Sequence, residues 1–196
     1  MTTTRPPRFP PLVLEELTGL QRQVAEEFVK FSARKAISGP AMMLLRSPEV
    51  AGSFIKLSDY LRSGTKVPLK LAELAVLIHA RLWTDQYEWS VHAIRAREAG
   101  LPDAVIADLQ VGRSPKGLKH DEQAVYDYCV ELSKTKAVSD ETFARIRDVL
   151  NEAEVVDLTI MLGMYGIVSY LLSVGEAGTV PGQTPPLAPM ANPFGG

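Results

Sequence analysis

Three side chains, Glu73, Glu88 and His92, carry the residue types that proton transfer requires. Glu88 and His92 are four positions apart, so on a helix turning about 100° per residue they lie about 40° apart on one face, within reach of each other. A carboxylate beside an imidazole selects its tautomer and raises its affinity for a proton, and histidine exchanges protons near neutral pH. Glu73 sits inside the apolar run LKLAELAVLIHARLW. A carboxylate there must find a partner or take up a proton, because an isolated buried charge is strongly disfavoured. If the two segments form a helical hairpin, Glu73 can face the Glu88–His92 pair and complete an acid–base site that needs no cofactor.

Other readings compete at each position. Asp85 and Glu88 fit a capping box, with Asp85 as N-cap and the Glu88 carboxylate returning to a backbone amide. Glu73 could instead form a buried structural pair with Arg81 or Arg95. Tyr87 and Trp89 are expected in the core or in the wall of a substrate pocket, where the Tyr87 hydroxyl could donate to a substrate carboxylate. His79 follows Glu73 by six positions, which turns it about 240° away on the same helix, and it is excluded from the site. No metal is expected: one histidine with two carboxylates underfills a zinc site, and the paired E-x-x-H spacing of di-iron bundles is absent around His92.

These residues need helices to position them, and the chain's periodicity is helical throughout, with almost no strict apolar–polar alternation. An amphipathic run extends from Leu20 to about Ala36. Ser47-Pro48-Glu49 sets a cap, a first-turn proline and a favourable acid, with Gly64 closing that helix. Pro68 opens the Glu73 helix. Gly100 closes DQYEWSVHAIRAREA, Pro102 opens a short helix ending near Gly112, and Asp121 begins DEQAVYDYCVELSK. Ser139-Asp140-Glu141 caps FARIRDVLN, and a long apolar helix follows. The expectation is an all-α bundle of seven or eight helices in one domain spanning 1–196, with its core at 20–176. Residues 1–12 and 178–196, rich in Pro with Arg or Gly, are expected to be extended or mobile.

The balance of 21 basic and 23 acidic residues, formally -2, leaves no electrostatic footprint for nucleic acid or an anionic membrane. The lone Cys129 excludes an internal disulfide or a multi-thiolate metal site. The start MTTTRPPRFPP has no apolar secretion core, so a cytoplasmic location is expected. The uncharged stretch 158–175 approaches the length of a membrane span, but acidic flanks without basic anchors favour a core or subunit-interface helix. Exposing that surface and the uncharged tail on a monomer would be costly, so a homo-oligomer is expected.

Glu73, the segment YEWSVH and the ending AREAG together resemble the carboxymuconolactone decarboxylase family. Related alkylhydroperoxidase D proteins carry a glutamate, a C-x-x-C pair and a histidine. Fitted by the histidine, that frame puts His92 and Glu73 on the family residues and the two cysteine positions on Asp85 and Glu88. The redox pair is therefore missing, and Cys129 does not replace it. The resemblance implies an alkylhydroperoxidase D-like helical bundle, a trimer or hexamer, and no metal or organic cofactor. It further implies a lyase acting on a small carboxylated lactone or keto acid, of the kind met in aromatic-compound catabolism. Hydroperoxide reduction and a non-enzymatic small-molecule-binding role on the same fold are the alternatives.

Overall fold

A computed structural model describes residues 8–31, 36–180, 183–191 and 193–194, and among them it contains helices and turns but no strand. The chain forms two compact units, residues 1–64 with 170–178, and residues 65–169 with 179–196.

The first unit holds α1 (Gly19–Phe31), α2 (Ala41–Leu44) and α3 (Pro48–Asp59), the last continuing into a π-helical turn at Tyr60–Gly64. The amphipathic face of α1 buries Val24 and Ala25 with Leu17, Leu44, Leu45, Ala51 and Ile55. Ser47 and Pro48 start α3 as their order predicts, although the Ser47 side chain makes no cap bond. The one-turn α2 was not foreseen, since four residues are too few to show a helical period. Part of the expected continuation of α1 toward Ala36, residues 32–35, lies outside the described residues.

The second unit holds α4 (Leu69–Trp83), α5 (Gln86–Glu98), α6 (Asp103–Gln110), α7 (His120–Thr135), α8 (Asp140–Arg147) and most of α9 (Glu152–Gly175). α4 is its axis: every residue from Leu71 to Arg81 is buried, and α5, α6 and α7 pack around it. Burying a leucine or isoleucine side chain fully contributes roughly 1.5–3 kcal/mol, and Leu71, Leu74, Leu77 and Ile78 each keep at most 1% of their surface.

The α4–α5 connection is two residues long. Thr84 takes the left-handed conformation at φ 53°, the Asp85 amide bonds the Ala80 carbonyl at 2.8 Å, and the Thr84 amide bonds that of Arg81 at 3.1 Å. This is the Schellman closure, here with a β-branched residue where glycine is usual. Asp85 then caps α5 by accepting the Glu88 amide at 3.0 Å. Elsewhere Gly100 turns the chain after α5 at φ 87°, and Ser139 caps α8 through the Thr142 amide. α9 is long and apolar enough to cross a membrane by composition, yet 56% of its most apolar window is buried inside the protein, as in a core helix. The uncharged tail has no helix or strand over 183–191 and packs on its own chain, with Leu187 and Phe194 buried.

Replacing Ser139 with alanine removes the α8 cap and should lower unfolding stability by about 1 kcal/mol in a denaturant titration. An unchanged midpoint would show that the cap bond is not stabilising.

Candidate functional site

The α4–α5 hairpin sets Glu73 against His92. Glu73 Oε2 lies 2.6 Å from His92 Nδ1, and Glu88 Oε2 lies 3.3 Å from His92 Nε2. The imidazole thus bridges two carboxylates held on opposite ring nitrogens, and all three residues are buried. α9 adds a fourth group: the Tyr165 hydroxyl is 3.1 Å from His92 Nε2, with its ring edge-on to the imidazole at 5.1 Å between centroids.

The charge balance follows from these bonds. Burial alone disfavours the imidazolium, but hydrogen bonds and attraction from Glu73 and Glu88 outweigh it, holding the His92 pKa above the ordinary histidine value. A protonated ring offers a donor on each nitrogen, matching carboxylates on both sides. The cluster can therefore store a proton on His92 and deliver it from Nε2, where Tyr165 and Glu88 converge.

A second polar cluster adjoins the first on the same three helices. Ser169 Oγ donates to Asp85 Oδ2 at 2.7 Å and lies 3.4 Å from His79 Nε2. Burial lowers the His79 pKa to about 4, against an opposing bond to the Tyr165 backbone and with a smaller push from Lys136. His79 therefore favours its neutral form, while the carboxylates favour the cationic form of His92. Burial and the nearby Glu88 charge raise the Asp85 pKa, although bonds from the Glu88 amide and Ser169 oppose them.

Several expectations change here. Glu73 pairs with His92 rather than Arg81 or Arg95, because the hairpin turns α4's Glu73 face onto α5. Only half of the capping box forms: Asp85 caps the Glu88 amide, while the Asp85 amide is already used by Ala80 and the Glu88 carboxylate turns to His92. Trp89 keeps 2% of its surface and is a core residue, whereas Tyr87 is half-buried. His79 stays off the Glu73–His92 pair, as its helical phase requires, yet belongs to the adjoining cluster. Tyr165 and Ser169 were missed. Their signal was the i,i+4 spacing of two hydroxyl groups within the uncharged part of α9, which places both on one face; Thr159, Tyr170 and Ser173 in the same stretch carry hydroxyls too, so the spacing alone did not single them out. Among the described residues no cluster of three His, Cys, Asp or Glu side chains is arranged to hold a metal ion. Cys129 is fully buried, and burial pushes its thiol pKa far up.

No protein-family model matches the chain, and no curated protein matches it. Among solved structures it is similar to a protein of unknown function from Agrobacterium tumefaciens, provisionally described as the antioxidant defence protein AhpD. The two share 19% identity at a TM-score of 0.61, over 69% of this chain and 93% of the other. The chain has the all-helical, alkylhydroperoxidase D-like fold.

The two histidines give opposite pH signatures. For His79, whose folded pKa is depressed, stability is full above the unfolded value near 6.5 and declines as pH falls toward 4, by about 3 kcal/mol over that span. For His92, whose folded pKa is raised, the contribution is full below about 6.5 and is lost as pH climbs through the folded value. Denaturant titrations at several pH values should show the acid slope flattened in His79→Gln and the alkaline slope flattened in His92→Gln. Parallel wild-type and variant profiles would refute the assignment.

Proposed function

We propose that this protein is a cofactor-free carboxy-lyase of the carboxymuconolactone decarboxylase type, acting on a small carboxylated lactone or keto acid. The observation that carries the reading is the imidazole of His92 held between Glu73 and Glu88 with Tyr165 at its reactive nitrogen. When the substrate carboxylate leaves as CO2, the electrons of the broken C–C bond pass into the adjoining carbonyl system as an enolate. His92 Nε2 gives its proton to carbon, and the electron pair collapses into the new C–H bond. Glu73 steadies the ring from Nδ1 and compensates its charge, while Glu88 and the Tyr165 hydroxyl orient the donating edge. Tyr87, half-buried one residue before Glu88, is the proposed contact for substrate, with Trp89 supporting the wall from the core.

A second reading, hydroperoxide reduction, is favoured by the provisional antioxidant description of the Agrobacterium protein. Thiol chemistry has little to work with here. In the resemblance to alkylhydroperoxidase D proteins, Asp85 and Glu88 stand where the redox pair would be, and the one cysteine, Cys129, is buried on α7. A reducing cytoplasm is the proposed location, supported by this one reduced cysteine.

The proposed assembly is a homo-oligomer, trimer or hexamer, formed through the outer face of α9. Val156, Ile160 and Ile167 are exposed there, and with Gly163 they follow the 4-3-4 spacing of a helix-packing seam. Small carboxylated lactones and keto acids constitute the proposed partners, and nucleic acid and membrane are not among them.

In a screen of such substrates, His92→Ala should reduce turnover at least ~100-fold and Glu73→Gln by a comparable factor, with Cys129→Ser unchanged. Full turnover in His92→Ala would sink the lyase mechanism, and thiol-dependent peroxide reduction lost in Cys129→Ser would favour the second reading. Sedimentation at micromolar concentration should reveal a species heavier than the 21.5 kDa chain. A monomer alone would exclude the oligomer.

A further inference from the structure

Arg81 closes α4 with none of its surface exposed, and among the described residues its guanidinium meets no carboxylate. Its bonds all go to neutral oxygens: the Gln110 carbonyl at 3.3 Å, the Thr84 hydroxyl at 3.1 Å and the Ala188 carbonyl at 2.9 Å. Among the described residues Nε has no partner. The negative end of the α4 dipole offsets part of this charge. A buried cation is still normally matched by an anion, since bonds to charged acceptors are roughly twice as strong as neutral ones.

What covers Arg81 is the tail, and the way it is held is specific. Three consecutive carbonyls, Pro186, Leu187 and Ala188, each accept from a side chain on a different helix. Gln110 Nε2 of α6 reaches Pro186 at 3.0 Å, Gln86 Nε2 of α5 reaches Leu187 at 2.8 Å, and Arg81 reaches Ala188. Gln86 Oε1 also accepts the Leu187 amide at 2.9 Å, so one side-chain amide reads both polar groups of one peptide residue. The Leu187 side chain is buried to 2% exposure. These are the contacts of a peptide-recognition site: donors for successive carbonyls, a two-point amide clamp and an apolar seat. At the third carbonyl stands a full positive charge where a neutral oxygen needs none.

We propose that this groove is a binding site for a free peptide C-terminus of the form acyl-Leu-Ala-carboxylate, and that the chain's own 186–188 segment occupies it as a tethered substitute. The acyl carbonyl takes the Gln110 bond, leucine takes the Gln86 clamp and the apolar seat, and the terminal carboxylate replaces the Ala188 carbonyl on Arg81. A carboxylate brings the second oxygen that Nε lacks. Arg81 lies eight residues from Glu73 along α4, a rise of about 12 Å, so this site is separate from the acid–base cluster and does not depend on how that cluster is read.

The test uses the full-length chain labelled with nitrogen-15, titrated with N-acetyl-Leu-Ala and with its C-terminal amide at matched ionic strength. Because the tail competes at a millimolar effective concentration, the same titrations are run on Leu187→Ala, which weakens the substitute. Expected are saturable shifts of the Arg81 Nε–H signal, release of the 183–191 amides, about tenfold tighter binding of the acid than of the amide, and tighter binding of both to Leu187→Ala. Arg81→Gln should bring the acid-to-amide ratio to about one. If that variant does not fold, Gln86→Ala added to Leu187→Ala, where the tail no longer competes strongly, should weaken both probes relative to Leu187→Ala alone while preserving their ratio. Equal affinity for acid and amide, or no saturable binding to Leu187→Ala, overturns the proposal and leaves Arg81 as a staple for the tail.

Discussion

The contact between Glu73 and His92 is made in a place where neither partner could stand alone. α4 is buried along the whole stretch from Leu71 to Arg81, so a carboxylate in its middle has no access to the solvation that would hold its charge. Losing one member of such a pair leaves an uncompensated buried charge, a defect costing on the order of 3–5 kcal/mol. The two-residue turn at Thr84 and Asp85 fixes how α5 returns along α4, and with it whether this contact forms. That turn holds a threonine in the left-handed region, so local backbone strain is maintained where it decides the register of the site.

From that pair the polar interior extends in an ordered way. His92 passes the interaction on to Glu88 one turn later on its own helix and to Tyr165 on α9. Ser169, one turn beyond Tyr165, joins Asp85, the cap of α5, and lies beside His79 on α4. Two neighbouring imidazoles thus have opposite charge preferences for a physical reason. His92 has carboxylates on both nitrogens, and His79 has a hydroxyl and a backbone group in a dry site. Separating proton affinities between nearby groups is how one scaffold supplies both an acid and a base.

The other end of α4 shows the same economy of buried charge with a different solution. Among the described residues Arg81 meets only neutral oxygens, one of them a carbonyl of a tail without a charged residue, and its Nε is left over. The tail is proline-rich and forms no helix over 183–191, so its carbonyls are not consumed within the chain segment and remain available to Gln110, Gln86 and Arg81.

Much of this was determined by the sequence itself. Apolar periodicity established an all-helical chain, and Pro48, Pro68, Pro102 and Ser139 marked helix starts because capping chemistry is local. The i,i+4 spacing of Glu88 and His92 put them on one face, and the apolar surroundings of Glu73 demanded a partner. Which partner was a tertiary matter: Arg81, Arg95 and His92 were all within reach of an unfolded hairpin, and only the crossing of α4 and α5 selected His92. The same holds for Tyr165, Ser169 and the tail, whose contacts span 73 to 107 residues. No periodicity encodes a contact between residues so distant in sequence, because it depends on how whole helices pack and not on the turn of any one of them.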